Sequence, residues 1–190
     1  MEEQNKNFLL SLARKAIEGY CLYGTRLAFQ EADLPLEAIP NLLSKQGVFV
    51  TITKNHELRG CVGDLTGRQP VYQEVIDNAI NAGFGDYRFP KLQPEELNDI
   101  KIEISVLSPL SPLKTTSFPE LTKWLNQKKP GVYLELNGAS ATFLPQVWEE
   151  IKTPIEFLSQ LCFKAGLKEH DWKDPQMNFW TYTVDAFQER

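Results

Sequence analysis

The order of patterned segments predicts an α+β fold built on antiparallel β-sheet with flanking helices. Three observations carry this. Residues 99–107, DIKIEISVL, alternate with period two, the mark of a strand with one buried face. Asn137-Gly138 stands between two extended runs, the strongest short signal for a hairpin. Along the chain the elements read helix, hairpin, helix, strand, helix, hairpin, helix, strand, without the regular βαβ alternation of a parallel sheet.

Residues 5–22 place Phe8, Leu9, Leu12, Ala13, Ala16, Ile17 and Tyr20 at helical spacing, with Gly24 near the end. Cys21 falls in the last turn and reads as a small, buried or half-buried thiol. Residues 34–40 hold two prolines and no period, and read as a covering loop. Residues 47–63, GVFVTITKNHELRGCVG, follow as a hairpin. Alternation puts Glu57, Arg59 and Cys61 on one face of its second arm and Leu58, Gly60 and Val62 on the other. A three-residue loop over Lys54, Asn55 and His56 brings the aliphatic faces of both arms to one side, with Ile52 opposite Leu58, Val50 opposite Gly60, Thr51 opposite Arg59 and Phe49 opposite Cys61. The glycines make this a poor ordinary strand, so the face of Glu57, Arg59 and Cys61 is the candidate site.

The next helix is expected from Gln69 or Pro70, with Val71, Val75, Ile76 and Ala79 buried, fading by Gly83 or Gly85. The Cys61 arm thus runs toward a helix N-terminus, whose free N–H groups stabilise an anion or thiolate. In residues 83–92, GFGDYRFPKL, Asp86 and Arg88 read either as a surface pair or as part of the site. The strand at 99–107 turns Ile100, Ile102, Ile104 and Val106 inward and Lys101, Glu103 and Ser105 outward. The proline-rich residues 108–120 read as a connector, with Ser117 or Thr116 capping a short helix through Leu121, Trp124 and Leu125. After the second hairpin, a helix from about Pro154 to Ala165 sets Ile155, Leu158, Leu161 and Cys162 in register, with Gly166 as cap. A polar loop with Trp172 leads to a final strand near residues 179–184.

At 190 residues the chain suits a single unit, taken as residues 1–190. An apolar fraction of 42% and a charged fraction of 24% are those of a soluble globular protein. No apolar run reaches the roughly 20 residues of a membrane helix, and MEEQNKN lacks a signal-peptide pattern, so the cytoplasm is the expected compartment. A net charge of −5 disfavours nucleic acid. The twin lysines Lys128 and Lys129 read as a solvated loop. Three cysteines without a CxxC pair, and two histidines, argue for reduced thiols and against a cysteine or imidazole metal site.

The hexamer LRGCVG at 58–63 resembles the LRGCIG hallmark of the AMMECR domain family, whose bacterial and archaeal members form protein A of the AmmeMemoRadiSam system. Residues 85–92, GDYRFPKL, resemble the family's DPRFPPL, and EISVLSP at 103–109, ATFLPQVWEE at 141–150 and FLSQLCFKAGL at 157–167 extend the similarity over nearly the whole chain. Val62 replaces the usual Ile, and Tyr87 the usual Pro, which removes a fixed torsion from that loop. The resemblance implies two unequal lobes with the hexamer near the cleft between them. As partners it implies a Memo-like protein, related to extradiol dioxygenases, and a radical SAM protein. It supplies no reaction, and no cofactor is read from the sequence.

Three functions follow. In an enzyme, Cys61 is the nucleophile or redox thiol, activated by Arg59 and the helix N-terminus, with Gly60 and Gly63 admitting substrate to the backbone. Its base is open: His56 lies about 15 Å back along an extended arm, which leaves His170, Glu57 or Asp64. In a binding module, Arg59 and Arg88 read an anion on a ligand or partner, with Glu57, Gly60, Gly63 and Asp86 around them. In a purely structural hexamer, the cysteine and glycines serve packing.

Overall fold

The computed structural model describes residues 1–34, 39–114 and 117–190. Most of the covering loop expected at 34–40 lies outside these residues, as does Thr116. The chain divides into two compact units, Met1–Leu107 with Asp185–Arg190, and Ser108–Val184. Among the described residues the strands form two four-stranded sheets, one in each unit, so the fold is α+β as the sequence predicts.

The first unit opens with α1 (Glu3–Tyr23), which ends where Gly24, at φ 67°, donates its N–H to Tyr20. The short α2 (Ile39–Leu42), β1 (Val48–Lys54), β2 (Glu57–Asp64), α3 (Val71–Phe84) and β3 (Ile100–Leu107) follow, and β8 (Val184–Gln188) closes the sheet in the order β2-β1-β3-β8. Val48, Val50, Ile52, Ile102 and Ile104 point to one face and are buried under α1 and α3. Charged side chains of α1 fasten the last strand and the residue after it: Lys6 donates to Asp185 at 2.6 Å and Arg14 to Glu189 at 3.0 Å.

The first hairpin departs from its expected register. Its turn has two residues, Asn55 and His56, both at positive φ as a type I′ turn requires. From there Lys54 pairs with Glu57 and Thr53 with Leu58; a bulge then shifts the ladder, so that Ile52 faces Gly60, Thr51 faces Cys61 and Val50 faces Val62. One inserted residue restores the parity that a two-residue turn breaks. Beyond the bulge the aliphatic faces coincide as expected, with each partner two residues further along; before it Leu58, expected on the core face opposite Ile52, pairs with Thr53 and is exposed, and Glu57, expected on the Cys61 face, moves to the other side opposite Lys54. On β3, Ser105 is buried, not solvated as expected; the ring-bearing Phe49 is its cross-strand partner.

The second unit holds β4 (Ser111–Pro112), α4 (Phe118–Lys128), β5 (Gly131–Leu136), β6 (Ala139–Phe143), α5 (Pro154–Lys164) and β7 (Asn178–Tyr182), with sheet order β4-β7-β5-β6. Ser117 caps α4 through Glu120 N–H and Thr153 caps α5 through Glu156 N–H. Asn137 and Gly138 make the β5–β6 turn at φ 52° and 85°. Trp148 stacks on Phe157 with 3.9 Å between ring centroids, over a core that includes Cys162.

Three expectations are corrected in this unit. Residues inside the proline-rich connector form β4, which pairs with β7. The final strand is two strands, β7 and β8, that belong to different sheets. Ile155 is exposed and Phe157 takes the core position, because Ile155 lies in the first turn of α5 just after its cap.

Candidate functional site

β2 is the outer strand of its sheet, so part of its backbone points away from β1 and needs other partners. At Cys61 both groups find them in the 85–92 loop. Its N–H donates to the Asp86 carboxylate at 2.9 Å, and its carbonyl accepts from the Arg88 guanidinium at 3.3 Å. Asp86 and Arg88 are themselves joined at 2.7 and 2.9 Å. The Arg88 hydrogen bonds hold the buried Asp86 carboxyl well below the usual carboxylate range, and Asp86 in turn raises Arg88. The two residues clamp the edge of the strand with a charge-assisted fork.

Arg59, at the bulge, reaches a different partner. It donates to both oxygens of Glu96, at 3.0 and 2.9 Å, and to the Pro90 carbonyl at 2.8 Å. Lys54 adds a bond to Glu96 at 3.1 Å. The Arg59 and Glu96 side chains are only 12% and 14% exposed. The Arg59 hydrogen bonds push the Glu96 carboxyl down to about 2.

The glycines of the hexamer are sites of close approach. A Cβ at Gly60 would lie 2.0 Å from the Ala82 carbonyl oxygen, and one at Gly63 would lie 2.3 Å from that of Val48. Ala82 is in the last turn of α3, so the helix end beside Gly60 and Cys61 is the C-terminal one. This corrects the expected N-terminus, because α3 folds back over the strand that leads into it. The loop before α3 is occupied by the buried Glu74 carboxylate, which accepts from the N–H groups of Arg68 and Gln69 at 2.9 and 3.0 Å.

The Cys61 thiol accepts a hydrogen bond from the Thr51 hydroxyl at 3.2 Å. Thr51 is also the cross-strand partner of Glu103 on β3, so Cys61, Thr51 and Glu103 form a file across three strands on one face. Burial pushes the Glu103 carboxyl up. Of the predicted residues, then, Arg59, Gly60, Cys61, Asp86 and Arg88 are gathered around β2, Arg59 in a cluster with Glu96 and Cys61 in the clamp of Asp86 and Arg88, and Gly63 lies further along the same strand. Glu57 is exposed beside the turn, where it pairs with Lys54. His56 occupies the turn, and His170 belongs to the second unit. Sequence reasoning missed Glu96 and the Thr51–Glu103 file. Glu103 was legible as an outward residue of β3, but only the register of β3 on β1 aligns it with Cys61.

A model of the AMMECR1 family matches residues 10–187. A protein of Thermococcus gammatolerans is 37% identical over 96% of this chain and 89% of its own length. A protein of Methanopyrus kandleri is 36% identical over 96% of this chain and 87% of its own. The crystal structure of the uncharacterized protein PH0010 from Pyrococcus horikoshii superposes with a TM-score of 0.84 at 31% identity, covering all of this chain and 94% of that one. Fold and network together define an α+β protein in which a glycine-bearing edge hairpin is clamped by the loop after α3. The chain belongs to the AMMECR1 family.

Proposed function

We propose that this chain is the partner-recognition component of an AmmeMemoRadiSam-type system, and that it docks a Memo-like protein through the edge of the first hairpin and the 85–92 loop. One observation carries the reading: the polar groups of the hexamer are engaged internally, while the side chains around them are presented outward. Arg59 is bound to Glu96 and the Cys61 backbone to Asp86 and Arg88, which fixes the platform. On it, Tyr87 is 96% exposed and Leu58 44% exposed, and the Arg88 side chain is 47% exposed. Tyrosine and arginine on a rigid support are the residue types that concentrate binding energy in interfaces. Co-purification with the Memo-like protein tests this. Tyr87→Ala should weaken the complex at least tenfold and Cys61→Ser should leave it intact; the opposite order overturns the reading.

The file of Cys61, Thr51 and Glu103 favours a second reading, a thiol enzyme. Here the Cys61 thiolate is the nucleophile, stabilised by the hydrogen bond that the Thr51 hydroxyl donates to Sγ, and the Glu103 carboxylate, next in the file, is the base that takes the thiol proton through solvent. Iodoacetamide at neutral pH should then alkylate Cys61 well ahead of Cys21 and Cys162, and Glu103→Gln should slow it at least tenfold. Equal labelling of the three thiols sinks this alternative.

A further inference from the structure

The lysine pair that reads from sequence as a solvated loop lines a cavity. It encloses about 410 Å³ in the second unit, and its walls bring together Trp124, Lys128, Lys129, Ser111, Thr181 and Thr183. We propose that this cavity binds a small phosphorylated planar molecule, its ring on the Trp124 indole and its phosphate between Lys128 and Lys129.

The volume falls within the range of small-molecule sites, roughly 300–1,000 Å³. Its chemistry is that of an amphiphilic anion. The half-buried indole offers a flat apolar face, and hydroxyl-bearing side chains, Ser111, Thr181 and Thr183 among them, offer hydrogen bonds. Among the described residues neither lysine has a carboxylate partner, although the chain carries a net charge of −5. Two adjacent ammonium groups match a phosphate monoester, whose charge at pH 7 is about −1.5 to −2.

The backbone supplies a second, independent observation. α4 ends on Lys129 in the left-handed conformation, φ 46°, with its N–H on the Leu125 carbonyl. The same chain ends α1 on Gly24 at φ 67° and follows α5 with Gly166 at φ 78°, the residue that adopts this conformation without strain. The helix dipole accounts for a cation in the last turn of α4, such as Lys128. It does not account for a lysine at the strained position itself, where a glycine would close the helix better. Strain retained at a cavity wall points to the side chain that it presents.

Isothermal titration with adenosine monophosphate as the probe tests the proposal, with adenosine and inorganic phosphate as the ring-only and phosphate-only arms. Saturable binding is expected for the monophosphate, at least tenfold tighter than for either fragment. Lys129→Gly should lose at least tenfold in affinity while its melting temperature equals or exceeds that of the parent, and Lys128→Gln should also lose affinity without loss of fold. The proposal is overturned if the monophosphate gives no saturable heat, if inorganic phosphate binds as tightly, or if either folded variant keeps the parent affinity.

Discussion

The two hairpins of this chain solve the same geometric problem with different materials. In β5–β6 the turn is Asn137-Gly138, the ladder is regular, and the glycine at the strand start, Gly131, faces the Tyr182 ring, which a Cβ would approach to 2.4 Å. In β1–β2 the turn is Asn55-His56, the ladder carries a bulge, and Gly60 faces backbone, the Ala82 carbonyl of α3. One hairpin is shaped by side chains, which rotate; the other by main chain, which does not. The difference teaches that the LRGCVG hexamer is first a close-packing device, whatever it binds.

Substitution of each glycine separates the two regimes. Gly60→Ala must push a helix off the sheet, and a cost of about 3 kcal/mol or more is expected. Gly131→Ala displaces an aromatic ring, for about 1–2 kcal/mol. Chemical denaturation measures both, and equal losses would break the contrast.

A smaller effect is expected from the ion pair that anchors the bulge. Glu96→Gln leaves the half-buried Arg59 without its carboxylate and should cost about 2 kcal/mol at neutral pH. The folded carboxyl lies near 2 instead of the usual 4.5, so its contribution is full above about pH 4.5 and is lost as the pH falls through the folded value. Melting curves should therefore show the widest gap between parent and variant above pH 5, closing toward pH 2. A gap independent of pH would assign the loss to packing instead of charge.

The smallest effect concerns the turn. His56→Gly gives the first hairpin the Asn-Gly pair of the second and relieves a non-glycine residue at φ 66°. A gain of about 0.5–1 kcal/mol is expected; a loss would mean that the imidazole itself supports the turn.

What was legible in the sequence is what local chemistry decides. The stripe of α1, the alternation of β3, the Asn137-Gly138 turn and the cap Ser117 each follow from residues within a few positions of one another. The register of the first hairpin was not legible, since beyond the bulge a slip of two residues preserves the inside-outside assignments of Gly60, Cys61 and Val62, and only Glu57 and Leu58, before the bulge, change faces. The division of residues 178–188 into strands of two sheets was hidden for a similar reason, because extended pattern runs on through Thr183. At the site, Asp86 and Arg88 were found as a charged pair, but their role as a clamp on the Cys61 backbone depends on a contact 25 positions away. Arg59 has the local pattern of an anion-binding residue, and its engagement with Glu96 spans 37 positions. Such pairings are properties of the assembled sheet.

The closing bond between Ser108 N–H and the Thr183 carbonyl, with Thr183 N–H returned to the Ser108 hydroxyl, joins the entry and exit of the second unit. The second unit is thereby a parenthesis in the sequence of the first, opened after β3 and shut before β8. For the first unit it counts as one long loop whose ends are already held together, and each doubling of such a loop costs only about 0.6 kcal/mol. An insertion that lengthens the parenthesis therefore costs the first unit little closure entropy.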